Sequence, residues 1–86
     1  MEFHDRVLFM NLREAILKRI YEISKEKNLS ISELCLLGGI SPSPIYDLAK
    51  ERTKSSTVST IKHFCEGAGI TLKEFFDREY FNDVDE

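Results

Sequence analysis

The sequence predicts an all-α domain of five short helices, and three observations carry that prediction. Apolar residues recur at helical spacing in successive stretches, and no stretch alternates as a half-buried strand would. Asn11 with Glu14, Ser30 with Glu33 and Thr71 with Glu74 form capping pairs, each where an apolar stripe begins. Glycine, proline and Ser/Thr-rich stretches punctuate the chain between the stripes. At 86 residues there is room for one modest core that hides roughly 60% of the unfolded chain's surface.

The first ten residues have Phe3, Val7 and Met10 at i, i+4, i+7 spacing but no clear cap. They are read as an extension, 1–10, that either adds a turn of helix or has no direct role, with its apolar stripe a candidate dimer contact. From Asn11 the signal strengthens, because Leu12, Ile16, Ile20 and Ile23 follow at steps of four, four and three. The outward side of this first helix carries Arg13, Lys18, Arg19, Glu22, Lys25 and Glu26, a mixed-sign solvated face from which Lys18 or Arg19 could reach a phosphate. Asn28 tolerates the left-handed conformation that closes a helix, and Leu29 then turns inward.

Ser30 to Lys50, SISELCLLGGISPSPIYDLAK, reads as two short helices joined by a tight glycine turn, the outline of a helix-turn-helix. Gly38 and Gly39 lie between Leu37 and Ile40, where the chain reverses and at least one residue needs a positive φ. The apolar residues on either side are expected to join one small core. Ser41 is expected to open the next helix as Ser30 does, and Pro42 and Pro44 fall in its first turn, where no intrahelical amide bond is lost. Ile45, Leu48 and Ala49 turn inward, which leaves Ser43, Pro44, Tyr46, Asp47 and Lys50 on an outer face, the reading surface of such a motif.

ERTKSST, from Glu51, is an exposed loop. Thr57 then caps a stripe of Val58, Ile61, Phe64 and Cys65 that Gly67 and Gly69 end, and Leu72, Phe75 and Phe76 form a last helix that closes the core. Cys35 and Cys65 read as small buried hydrophobes, since a zinc site at His63 and Cys65 lacks two further ligands at suitable spacing. No metal or other cofactor is expected.

The net charge of −3 is unevenly distributed. Residues 77–86 form an acidic C-terminal tail of local charge −4, and residues 1–76 carry +1. Lys50, Arg52 and Lys54 alternate directly after the reading helix, where they either meet a phosphate backbone or decorate a solvated loop. Ser43 and Pro44 likewise serve as a helix start whether or not a base lies beyond them, and Tyr46 either packs over the core edge or contacts DNA. An enzyme needs converging nucleophile, base or metal, and a small helical domain whose only histidines are His4 and His63 offers no such set. No apolar run approaches the roughly 20 residues of a membrane span, and MEFHDRVLFM is not a secretory signal, so a cytoplasmic protein is expected.

From about Arg19 to Phe76 the chain resembles the Cro and phage-repressor type of helix-turn-helix, the Xre-like regulators with a lambda-repressor-like fold. LSISEL (Leu29 to Leu34), GGISPSPIYDL (Gly38 to Leu48) and GITLKEFF (Gly69 to Phe76) stand in the order and spacing of that five-helix domain, here residues 11–76. The resemblance implies a repressor-like regulator that binds double-stranded DNA sequence-specifically, with Ser41, Pro42, Ser43 and Pro44 at the start of a reading helix in the major groove. Tyr46, Asp47 and Lys50 lie further along its face, Arg52 and Lys54 follow it, and Ser32 with the amide end of the preceding helix meets phosphate. A homodimer on two half-sites is expected, formed through the final helix, the tail or the first ten residues. The sequence departs from the family's pattern at Ile31, Ala49, Glu51 and Ser56, which replace a frequent glutamine, glutamate, glycine and proline. The alternative is a protein-interaction module, antitoxin-like or antirepressor-like, that engages a regulatory protein through Tyr46, Tyr80, Phe81 and Val84.

Overall fold

Leu12–Lys27 forms the longest helix, α1, in a computed structural model that describes residues 10–85. The expected apolar stripe of residues 1–10 thus lies, apart from Met10, outside the described residues. Helices α2 (Ile31–Leu37), α3 (Ser43–Ala49), α4 (Val58–Ala68) and α5 (Leu72–Phe76) follow, then a 3-10 turn over Glu79–Asp83. The all-α expectation of five helices holds, and the one bridge among the described residues is a parallel pairing of Asn11 with Asp85.

Each capping pair closes reciprocally. Asn11, Ser30 and Thr71 accept from the amides of Glu14, Glu33 and Glu74, whose carboxylates accept from the cap amides at 2.8–3.0 Å. At the Thr71 cap the hydrogen bonds from Thr71 hold the Glu74 carboxyl below its usual pKa. Ser41 departs from this pattern. Its hydroxyl accepts from Ser43, two residues on, and α3 begins at Ser43 with Pro42 as the cap residue. The residue three positions after Ser41 is Pro44, which has no amide proton to give.

Four helices end in one way. The amides of Leu29, Ile40, Arg52 and Ile70 reach back to the carbonyls of Ser24, Cys35, Asp47 and Cys65. In each case the residue before the donor is left-handed: Asn28, Gly39, Glu51 and Gly69 have φ of 58, 83, 62 and 74°. This is the Schellman closure, whose sharp reversal requires that conformation.

The core is built from Ile16, Leu17, Ile20 and Ile23 of α1, Leu34 and Cys35 of α2, Ile45 and Leu48 of α3, Ile61, Phe64, Cys65 and Ala68 of α4, and Phe75 of α5. Cys35 and Cys65 are free and buried, and burial raises both thiols, Cys65 to about 11. Three expected core residues lie outside it. Leu37 and Val58 are each 66% exposed, at the last position of α2 and the first of α4, and Phe76, at the last position of α5, is also exposed.

Gly67 does not end α4 but lies within it, and Gly69 supplies the left-handed residue. The space at Gly67 explains its position: a Cβ there would run into the Leu34 carbonyl, and one at Gly38 into the His63 carbonyl. The end of α2 and the last turns of α4 therefore touch backbone to backbone. His63 adds to this contact, with Nδ1 3.1 Å from the Gly38 carbonyl oxygen and 3.4 Å from Glu66.

Arg19 differs most from its expected place. It is not on a solvated face but only 4% exposed. Its Nε donates to the Phe75 carbonyl at 2.6 Å and its Nη2 to the Glu74 carbonyl at 2.9 Å, so the guanidinium caps the end of α5 and is not placed to meet a phosphate. Arg19 stands three residues after Ile16 and four before Ile23, on the apolar stripe itself.

Residues 77–85, acidic by composition, are seated along α1. Phe81 packs between Phe76 and Tyr80 at centroid distances of 5.0 and 5.1 Å, Tyr80 donates to Glu22 at 2.8 Å, and Arg78 pairs with Glu22 and Glu26. Asp85 accepts from the Leu12 amide at 2.9 Å and donates to the Met10 carbonyl at 3.0 Å. Burial, aided by the Glu22 carboxylate, pushes the Tyr80 phenol above its ordinary pKa.

Arg19→Met keeps the apolar length but leaves two carbonyls unpaired, and it should cost about 3 kcal/mol in urea unfolding. A loss under about 1 kcal/mol would mean that water replaces the guanidinium. For Tyr80 the folded pKa is raised, so its contribution is complete below pH ~10 and fades as pH rises toward the folded value. Tyr80→Phe should lose about 1 kcal/mol at neutral pH and remove part of the decline above pH ~10, measured as urea midpoints across a pH series.

Candidate nucleic-acid interface

Helix α3 has one buried and one exposed side. Ile45 and Leu48 are fully buried and Ala49 packs against the core, whereas Ser41, Ser43, Pro44 and Lys50 are exposed and Pro42 is half-buried. Tyr46 is 43% exposed, so it is not packed away at the core edge. The turn that delivers this helix is held from behind by the Gly38 contact with α4, and Gly39 supplies the reversal.

Ser32 is half-buried on α2, and Arg52 and Lys54 are exposed in the loop after α3. That loop is not a uniform cationic strip. Arg52 Nη1 lies 3.4 Å from Asp47 Oδ1, and Glu51 Oε2 lies 3.8 Å from Arg13 Nη2. The pairing with Arg52 offsets the negative charge of Asp47 on the outer face, although an exposed pair of this kind adds little to stability. Lys50 and Lys54 are exposed, and among the described residues neither lies within 4.0 Å of a carboxylate as an ion pair.

Arg13 belongs to this region although its sequence position suggested only a solvated face. Its Nη1 donates to the Leu48 carbonyl at 3.0 Å, joining the start of α1 to the end of α3. Like Arg19 it occupies a stripe position, three residues before Ile16 and seven before Ile20, and that spacing is the signal that could have revealed it. Tyr80 and Phe81, candidates for binding a partner protein, are instead engaged within the chain by Glu22 and by the aromatic cluster.

The family model of the Cro/C1-type helix-turn-helix DNA-binding domain matches residues 19–80. The chain belongs to this family. The match begins at the buried Arg19 and extends past α5 into the 3-10 turn, so it includes the hydrogen bond of Tyr80 to Glu22. Among solved structures, the crystal structure of the prophage Lp1 protein 11 is similar over 88% of this chain and 100% of its own, with 28% identity and a TM-score of 0.76. A search of curated proteins finds no match. In the Cro/C1-type domain α2 and α3 form the helix-turn-helix, and DNA is the partner that membership implies. No helix of the described residues is long and apolar enough to cross a membrane.

Glu51 is the residue at which this site carries a backbone cost. A non-glycine side chain in the left-handed region costs about 1–2 kcal/mol. Glu51→Gly should therefore raise stability by about 1 kcal/mol, read as a higher urea midpoint with an unchanged slope. An unchanged or lower midpoint would show that the Arg13 pairing outweighs the backbone relief.

Proposed function

We propose that this domain is a sequence-specific transcriptional regulator of repressor type that reads operator DNA with α3 in the major groove. The observation that carries the proposal is the division of α3, with Ile45 and Leu48 sealed in the core and Ser43, Pro44, Tyr46 and Lys50 turned to solvent. In this reading Ser43, Tyr46, Asp47 and Lys50 approach base edges, and Ser41, Pro42 and Pro44 set the start of the helix. Ser32, Arg52 and Lys54 meet the flanking phosphates, where each contact adds salt-dependent affinity. Asp47 can only accept, so it suits a cytosine amino group, and Arg52 limits its repulsion of the backbone.

A single copy makes few such contacts, so the regulator acts as a homodimer on half-sites roughly 34 Å apart. It works in the cytoplasm, by excluding or recruiting the transcription machinery, without catalysis and without a cofactor. The protein-interaction alternative retains Tyr46 on the exposed face, but Tyr80 and Phe81 already have intramolecular partners, which favours the DNA reading.

Selection from a pool of random duplexes followed by sequencing, at two salt concentrations, tests this. The wild type should recover an inverted repeat, and the triple variant Ser43→Ala, Asp47→Ala, Lys50→Ala should not. Weak binding that vanishes with salt and recovers no motif would reduce the interaction to phosphate attraction and overturn the proposal.

A further inference from the structure

The end of α3 is tied to the rest of the fold by a residue on another helix. Arg13 projects from the first turn of α1, and its side chain is only 17% exposed. Nη1 donates to the Leu48 carbonyl at 3.0 Å, an acceptor that also receives the Glu51 amide at 3.2 Å, and Nη2 faces Glu51 at 3.8 Å. A cation at the carboxyl end of a helix is favourable, because the last carbonyls there have no intrahelical donors.

The base from which Arg13 reaches is itself held. Asn11 and Glu14 close the α1 cap, and Asp85 is bonded through its backbone to both Leu12 and Met10. On the far side of the contact stands Glu51, in a left-handed conformation that an unbranched but bulky residue resists, and then the loop with Arg52 and Lys54. A cleft lined by Asn11, Leu12, Arg13, Glu51, Thr53 and Lys54 separates the two sides, so the guanidinium is a strut across it.

We propose that Arg13 is a positioning residue for DNA binding: it sets the carboxyl end of the reading helix and the loop bearing Lys50, Arg52 and Lys54, and touches no nucleic acid itself. This rests on the regulator reading above. The largely buried guanidinium, with its donors directed at Leu48 and Glu51, is spent inside the protein and is not offered to phosphate.

The test uses the full chain with Arg13→Gln and Arg13→Lys, at a temperature where both are folded. Amide exchange by NMR in the absence of DNA is the first readout. The Glu51 and Arg52 amides, which close α3 onto Leu48 and Asp47, should exchange about tenfold faster in Arg13→Gln than in the wild type, while α4 core amides change far less. Affinity for the duplex recovered by selection should fall about fivefold with the salt slope unchanged, and Arg13→Lys, which keeps the charge and N–H donors but not the planar fork, should restore part of both effects.

A salt slope reduced by about one would make Arg13 a phosphate contact and overturn the proposal. So would a rise in exchange shared equally by all core amides, which marks general destabilisation, or no change in either readout. If the wild type selects no duplex, the regulator reading fails, and the amide comparison alone then decides whether Arg13 orders the end of α3.

Discussion

The approach of α2 to α4 without intervening side chains is the constraint on which the arrangement of the helix-turn-helix rests. Gly67 lies under the Leu34 carbonyl and Gly38 against the His63 carbonyl, so neither position can accept a Cβ without moving a helix. Cores are close-packed and respond to added methyl groups by shifting backbone. Here the shift would pass directly into the turn, because Gly38 is followed by the left-handed Gly39 that aims the chain at α3. The direction of the exposed face of α3 is thus constrained by a contact between α2 and α4.

Two arginines complete what apolar packing begins. A seven-residue α3 and a five-residue α5 have few internal hydrogen bonds, and most of their carbonyls are terminal. Arg13 reaches the end of the first and Arg19 the end of the second, both from α1. The guanidinium fork suits this task, since one side chain satisfies two acceptors in fixed geometry. No buried side-chain nitrogen or oxygen among the described residues lacks a hydrogen-bond partner. The longest helix therefore serves as a frame to which the short ones are pinned, and the segment after α5 in turn grips that frame through Tyr80, Arg78 and Asp85.

This construction changes how the charge of the molecule is distributed. The acidic residues after α5 accompany Arg78, which is directed at Glu22 and Glu26, and their backbone is held against α1. Around the end of α3, two acids stand beside arginines, Asp47 with Arg52 and Glu51 with Arg13. A net charge of −3 thus coexists with exposed Lys50 and Lys54 at and after the end of α3.

The sequence by itself determined the helices, the starts of four of them and most of the core. Capping pairs at Asn11, Ser30 and Thr71 are bonds across three residues, and the inward places of Ile20, Ile45, Leu48 and Phe64 follow from a 3.6-residue period, so both are legible without the fold. The left-handed reversal in the glycine turn is equally local. Only the tertiary structure decided the roles of Arg13, Arg19, Gly67 and the segment after α5. Arg13 meets its acceptor 35 residues away, and Arg19 meets its two at 56 and 55. Polarity had assigned both arginines to solvent, although their spacing put them on the buried stripe. A guanidinium is accepted in that stripe when helix-terminal carbonyls are delivered to it, and that delivery depends on how distant helices pack.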